Sequence, residues 1–195
     1  IANGVASDAL LQAGMRISLE QMREKAVAFS TLLHQAFQEQ VRRFPETAGM
    51  GTTLTTAYVV GEQAFIGHAG DSRAYLLHGS EISRLTEDHT VAEEMRSRGH
   101  SRKEVAHLKN ILTNYLSEAK EVQFDVDQAS LSDGDYLLLC TDGLTDLVPD
   151  ETIAATITSA KNPQAACDAL VALALERGGK DNITVVIGQF HILPA

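Results

Sequence analysis

Four aspartates stand where apolar runs begin or end: Asp71 in AGDSR, Asp142 and Asp146 in CTDGLTD, and Asp181 in GGKDNITVV. A buried sheet can bring carboxylates at strand ends to one point, and charges held that close repel unless a cation or hydrogen-bond donors compensate them. A hard divalent cation meets that need. Mg2+ takes oxygen ligands and keeps several waters, so a few carboxylates on distant loops suffice. Asp142 and Asp146 are four residues apart, one turn if a short helix starts near Gly143. By itself the pair also fits a plainer role, with Asp142 capping that turn and Asp146 in solvent, because Asp-Gly after a strand is ordinary turn chemistry.

Other reactive side chains offer less. His89, His100 and His107 invite a zinc site, but their spacings of 11 and 7 residues match no short ligand pattern and no Cys lies nearby. They are expected to be exposed loop histidines. Cys140 lies in an apolar run without the glycines and arginine of a phosphate-cradling loop, so it reads as a small core hydrophobe and not a nucleophile. His68 alternates with Ile66 and reads as structural, and Arg73 is expected to pair with a nearby carboxylate or carbonyl.

Strands must position these groups. Tyr136 to Cys140 is an apolar run between Asp133-Gly134 and Asp142-Gly143, the pattern of a strand buried on both faces. Residues 52–60, 64–67, 73–78 and 81–85 read as short strands joined by tight turns, most simply a meander of consecutive hairpins. Residues 122–126 are a further candidate, and the β-branched residues 183–187 read as a last buried strand. Ser18 with Gln21 resembles a capping box, and Met22, Ala26, Phe29, Leu33 and Phe37 then form an apolar helical stripe that should end near Pro45. A shorter helix is expected over residues 5–12, with others over 90–97, 151–159 and 163–176, the last capped by Asn162, and a helical turn near 102–107. Helices, then strands, then helices and a last strand make an α+β fold with helices packed on antiparallel sheets, in one domain over residues 1–195.

Composition narrows the function. With 16 Lys and Arg against 26 Asp and Glu, a net charge of −10 argues against a nucleic-acid partner held through phosphates. No apolar stretch approaches the roughly 18 residues of a membrane helix. Cys140 and Cys167 have no paired spacing, which suits a reducing compartment, the cytoplasm. The chain opens on Ile1 without a basic or apolar leader pattern, so a longer protein is expected.

Five segments combine these features in order: Gly51-Thr52-Thr53, Gly70-Asp71-Ser72-Arg73-Ala74-Tyr75, Leu85-Thr86-Glu87-Asp88-His89, Leu139-Cys140-Thr141-Asp142-Gly143-Leu144 and Gly179-Lys180-Asp181-Asn182-Ile183-Thr184. Together they resemble the metal-dependent protein phosphatases, the type 2C serine/threonine phosphatase family, in its bacterial style. The resemblance implies an antiparallel β-sandwich flanked by helix layers, α-β-β-α, with a Mg2+ or Mn2+ pair in a cleft at one edge. By similarity Asp142 and Asp181 would hold the first metal of the pair, and Asp71, Asp142 and Asp146 a third, weaker one. The polar residues 86–121 look like the family's flap. The implied reaction is hydrolysis of phosphoserine or phosphothreonine in a protein by a metal-bridged water, with a serine/threonine kinase as a natural counterpart. The family's phosphate-gripping arginine and its Asp-Gly-Met-Gly-Gly-His-like motif, with a bridging Asp and a proposed acid histidine, have no counterpart in this sequence. The resemblance also implies that the section bearing them supplies strands to the middle of the sheets. The competing expectations are a pseudophosphatase serving as a protein-binding module and, less well supplied with ligands, a calcium-stabilised structural domain.

Overall fold

A computed structural model of the chain describes residues 17–192. The helix expected over residues 5–12 lies outside them. Helix α1 (Leu19–Arg43) starts at the capping box read from the sequence: Ser18 accepts the Gln21 N–H, and the Gln21 side chain accepts the Ser18 N–H. Strands β1 (Gly51–Thr52), β2 (Leu54–Val60), β3 (Gln63–Ala69), β4 (Arg73–His78) and β5 (Glu81–Arg84) follow, then the short helices α2 (Val91–Ser97) and α3 (Arg102–Val105) and strand β6 (Leu116–Ser117). The second half runs β7 (Asp125–Ser130), β8 (Tyr136–Cys140), α4 (Asp142–Thr145), α5 (Asp150–Ser159), α6 (Pro163–Glu176) and β9 (Val185–Gln189).

Two antiparallel sheets form the middle of the molecule. One has the order β2-β3-β7 and the other β5-β4-β8-β9, with β1 and β6 forming a separate pair. Ala64, Ile66, Ala74, Leu131 and Leu137 pack between them, joined by Ala57, Leu76 and Leu139. Helices α5 and α6 cover the outer face of the four-stranded sheet, packing Ile153, Ile157 and Leu170, with Leu144 of α4, against Tyr75 and Leu138. Helix α1 lies on the other side, against β7 and β6. The layers are therefore α-β-β-α, the expected sandwich.

The chain departs from the expected meander at one place. Strands β2 and β3 form a hairpin, as do β4 and β5, but β3 and β4 belong to different sheets. The switch is made at Gly70, whose φ of 117° is accessible to glycine and costly for other residues. Three further expectations shift. The strand expected over residues 122–126 is Asp125–Ser130, an edge strand in which only Val126 is buried, so its sequence has no apolar pattern to read. The strand expected over 183–187 is Val185–Gln189; it is an edge, not a buried strand, and Val186 is exposed. The stripe on α1 lies mostly half-buried, Phe29 is exposed, and Ser30 is the helix's buried residue, donating to the Val122 carbonyl. The pairings among the described strands are continuous in each sheet.

Candidate metal centre

The turn that carries the chain from one sheet to the other also carries Asp71. A side chain at Gly70 would put its Cβ 2.3 Å from Thr53 Cγ2, so the turn closes tightly on the segment after β1. Hydroxyls complete the contact. Thr53 Oγ1 and Ser72 Oγ are 2.8 Å apart, and Thr55 Oγ1 donates to the Ser72 carbonyl at 3.2 Å. The Gly51-Thr52-Thr53 segment thus serves as the seat for the Asp71 corner.

Asp142 enters from the end of β8. It is the first residue of α4, and Asp146 closes the same turn, donating its N–H to the Asp142 carbonyl at 2.8 Å. Asp142 therefore does not cap the helix; Thr141 occupies that position and turns its side chain elsewhere. Its hydroxyl donates to the Asn182 carbonyl and accepts the Thr184 N–H, both at 3.0 Å. A Cβ on Gly143 would lie 2.4 Å from that same Asn182 oxygen, so only glycine lets residues 181–184 approach this closely. These contacts fix the loop bearing Asp181 beside Asp142.

The electrostatics follow from this placement. Burial, then the neighbouring Asp142, push the Asp71 carboxyl up to about 6. Asp142 is raised by its own burial and then by Asp181 and Asp146, against the Gly143 N–H and the Lys109 ammonium. Asp71, Asp142 and Asp146 line one cleft of about 620 Å3, with Arg73, Asp88, Arg96, Arg102 and Lys109 also on its walls. Asp181 is exposed and does not line it; its influence reaches the site through Asp142. Among the described residues no three carboxylates, imidazoles or thiols stand close enough to form a metal-binding group alone. Half-buried carboxylates raised by burial and by neighbouring carboxylates, as Asp71 and Asp142 are, fit a hard oxygen-seeking cation, and their dispersion fits one that keeps much of its water.

One neighbour, Lys109, was not singled out by its residue type. Lys109 Nζ reaches Asp146 Oδ2 at 2.5 Å from residues 86–121, and nothing in its sequence surroundings signals this. Arg73 grips Asp88 through two bonds of 2.9 and 2.7 Å and also donates to Tyr75, whose hydroxyl donates to Asp150. Arg73 is thus paired, as expected. His68 is buried and structural, with Nδ1 on Thr55 Oγ1 and Nε2 on the Glu87 carbonyl. His89 corrects the expectation of an exposed loop histidine: its side chain is only 15% exposed, whereas His100 and His107 are exposed. Cys140 is buried, and the loss of solvation pushes its thiol up to about 12, far from a usable thiolate.

A family model for protein phosphatase 2C matches residues 8–96 and 119–183, skipping much of residues 86–121. The chain is 37% identical over 158 residues to the protein phosphatase PhpP of Streptococcus pneumoniae, covering 80% of this chain and 62% of that protein. It therefore spans about three fifths of the length of the first curated relatives it matches. The S. agalactiae serine/threonine phosphatase superposes with a TM-score of 0.80 at 32% identity, over 87% of this chain and 71% of that one. The catalytic domain of the serine/threonine phosphatase PstP, solved in complex with 2 manganese ions, gives 0.74 at 33% identity over 90% and 73%.

Proposed function

Because the chain belongs to the protein phosphatase 2C family, we propose that it is the metal-binding part of a phosphoprotein phosphatase that hydrolyses phosphoserine and phosphothreonine. The observation that carries this reading is the convergence of Asp71, Asp142 and Asp146 on one cleft, where Asp71 is raised by burial and by Asp142, and Asp142 by burial and by Asp181 and Asp146. A domain relieved of catalysis gains nothing from holding such charges together, which counts against the binding-module alternative. Asp142 and Asp181 would hold one Mg2+ or Mn2+ and Asp71, Asp142 and Asp146 a further one, supplying positive charge for the phosphoryl oxygens and a water acidic enough to attack phosphorus near neutral pH.

The protein's own groups do the rest. The Thr141–Asn182–Thr184 bonds keep Asp142 and Asp181 in register, and the Thr53–Ser72 contact holds the Asp71 corner. Residues 86–121 form the flap and bring Arg96, Arg102 and Lys109 to the cleft, where cationic side chains can meet an anionic phosphopeptide. Cys140, buried and undissociated, takes no part, so the reading has no covalent phosphocysteine. It brings with it a phosphorylated protein as substrate and a serine/threonine kinase as the activity that makes it. Two free cysteines suit the cytoplasm as its setting, and among the described residues no helix is long and apolar enough to cross a membrane.

The test is release of phosphate from a phosphothreonine peptide with Mn2+ and with chelator, for the parent and for Asp142→Asn. Turnover should require the metal and fall by at least about a thousand-fold in the variant, while its unfolding midpoint stays close to the parent's. Equal turnover in the variant would remove Asp142 from the site, and turnover undiminished by chelator would remove the metal.

A further inference from the structure

The corner that carries Asp71 is held at a second point by one histidine. His89 donates its backbone N–H to the Gly70 carbonyl at 2.7 Å, and the Gly70 N–H donates to His89 Nδ1 at 3.2 Å. Both polar backbone groups of the residue preceding Asp71 therefore end on His89. The same Nδ1 accepts from Asn114 Nδ2 at 3.0 Å, and the His89 carbonyl accepts the Thr113 N–H at 2.9 Å. Asn114 in turn binds both backbone groups of Gln123, just before β7.

The partners assign the tautomer. Two N–H groups point at Nδ1, so the lone pair is there; Nε2 carries the hydrogen and faces Asp125 Oδ2 at 2.9 Å. The buried His68 ring backs it at a centroid distance of 4.8 Å, itself pinned to Thr55 and to the Glu87 carbonyl. The ring has little freedom to turn.

We propose that His89 is a positioning residue for metal binding: through the Nδ1 lone pair it shares between Gly70 and Asn114, it holds the Asp71 carboxylate in place and couples that corner to the flap. The proposal rests on the phosphatase reading, which supplies the metal. Groups that orient a ligand without touching the metal set its affinity strongly, because a ligand free to swing must be ordered when the cation binds.

Mn2+ binding, followed by the EPR signal of the free ion, separates this role from simple packing. His89→Asn places an amide oxygen near the position of Nδ1 and abandons Asp125; His89→Gln reaches toward Asp125 with its amide and abandons Gly70. His89→Ala abandons both. The Ala and Gln variants should bind Mn2+ about ten-fold more weakly in the class of sites that Asp71→Asn removes, a loss typical of outer-shell partners, and Asn should restore most of it. Rescue by Gln and not by Asn would overturn the proposal, making the contact with Asp125 the one that matters. Parent-like affinity in all three variants would overturn it alone, leaving the phosphatase reading intact if the parent still hydrolyses phosphopeptide with Mn2+. A parent that neither binds Mn2+ nor hydrolyses would overturn both. Should the Ala variant fail to fold, the contrast between Asn and Gln decides.

Discussion

The two outer layers of the sandwich are built very differently. Between the four-stranded sheet and its helices, Tyr75, Leu77 and Leu138 of the sheet meet Leu144, Val148, Ile153, Ile157 and Leu170, all at most 1% exposed. Helix α1, although 25 residues long, buries only Ser30 and leaves Val27 and Leu32 at 67% and 63% exposure. Asp142 and Asp146 grow out of the first layer through α4, whose Leu144 is a core residue. Asp71 stands at the corner where the chain passes from the sheet on the α1 side to the other. The site thus has one firmly rooted side and one held mainly by hydrogen bonds among Thr53, Ser72 and His89. Interior packing resists displacement in a way that exposed apolar surface does not, because each lost contact there leaves a cavity.

The sharpest break of this contrast is Leu144→Ala. The side chain is fully buried in the short helix that carries Asp142, so its loss should cost about 2–5 kcal/mol. Leu32→Ala, the same deletion on α1, should change stability by no more than about 0.5 kcal/mol. Urea unfolding of the two variants measures both. Comparable losses would mean that α1 is as tightly packed as α5 and α6, and the contrast would fall.

Acid should distinguish the two sheets next. Burial, then the nearby His89, lower the His68 imidazole to about 4. Above the unfolded value of 6.5 the ring is neutral in both states, and its contribution is intact. As pH falls from 6.5 to about 4 the unfolded chain takes up the proton first, so stability is lost, on the order of 3 kcal/mol in all. In the four-stranded sheet burial pushes the Tyr75 phenol and the Cys140 thiol upward, away from this range. Amide exchange near pH 5 should therefore show β3 losing protection before β8. The opposite order would show that His68 is not the acid-sensitive element.

This division also decides what could be read from the sequence. The strand Tyr136–Cys140 and the helix Pro163–Glu176 with its Asn162 cap were legible to the residue, because burial and capping write themselves into local residue types. Of the edge strands, β2 and β5 were read nearly in place, while β7 did not announce itself. In β7 the ladder to β3 is made by the backbone, and its side chains are mostly polar and exposed, so no pattern marks it. The four aspartates could be chosen by their strand-end positions, and the structure brings Asp71, Asp142 and Asp146 to one cleft. What fixes them was hidden, because contacts such as Gly143 against Asn182 or Gly70 against His89 join residues far apart in the chain. Leu85-Thr86-Glu87-Asp88-His89 could be picked out as a segment without showing that Asp88 would take Arg73 and His89 would take Gly70.

The smallest expected effect lies at the corner between the two regions. Asp71 titrates at about 6 in the folded protein against 3.8 unfolded, so between these values the folded state binds the proton more tightly and stability rises as pH falls. Without metal, Asp71→Asn should therefore come close to the parent's stability near pH 4, where the folded forms of both are uncharged and the unfolded parent is only partly ionised, and exceed it at pH 7. The gain should be no more than about 1 kcal/mol once solvent screening of this half-buried group is allowed for. Mn2+ should reverse the order at pH 7, because the cation stabilises the form that binds it, and its affinity for the parent should weaken as pH drops below about 6. Thermal unfolding of the pair with chelator and with Mn2+ at the two pH values tests all four signs. If Asn stabilises equally at both pH values, the benefit is one of packing and Asp71 does not hold the charge assigned to it.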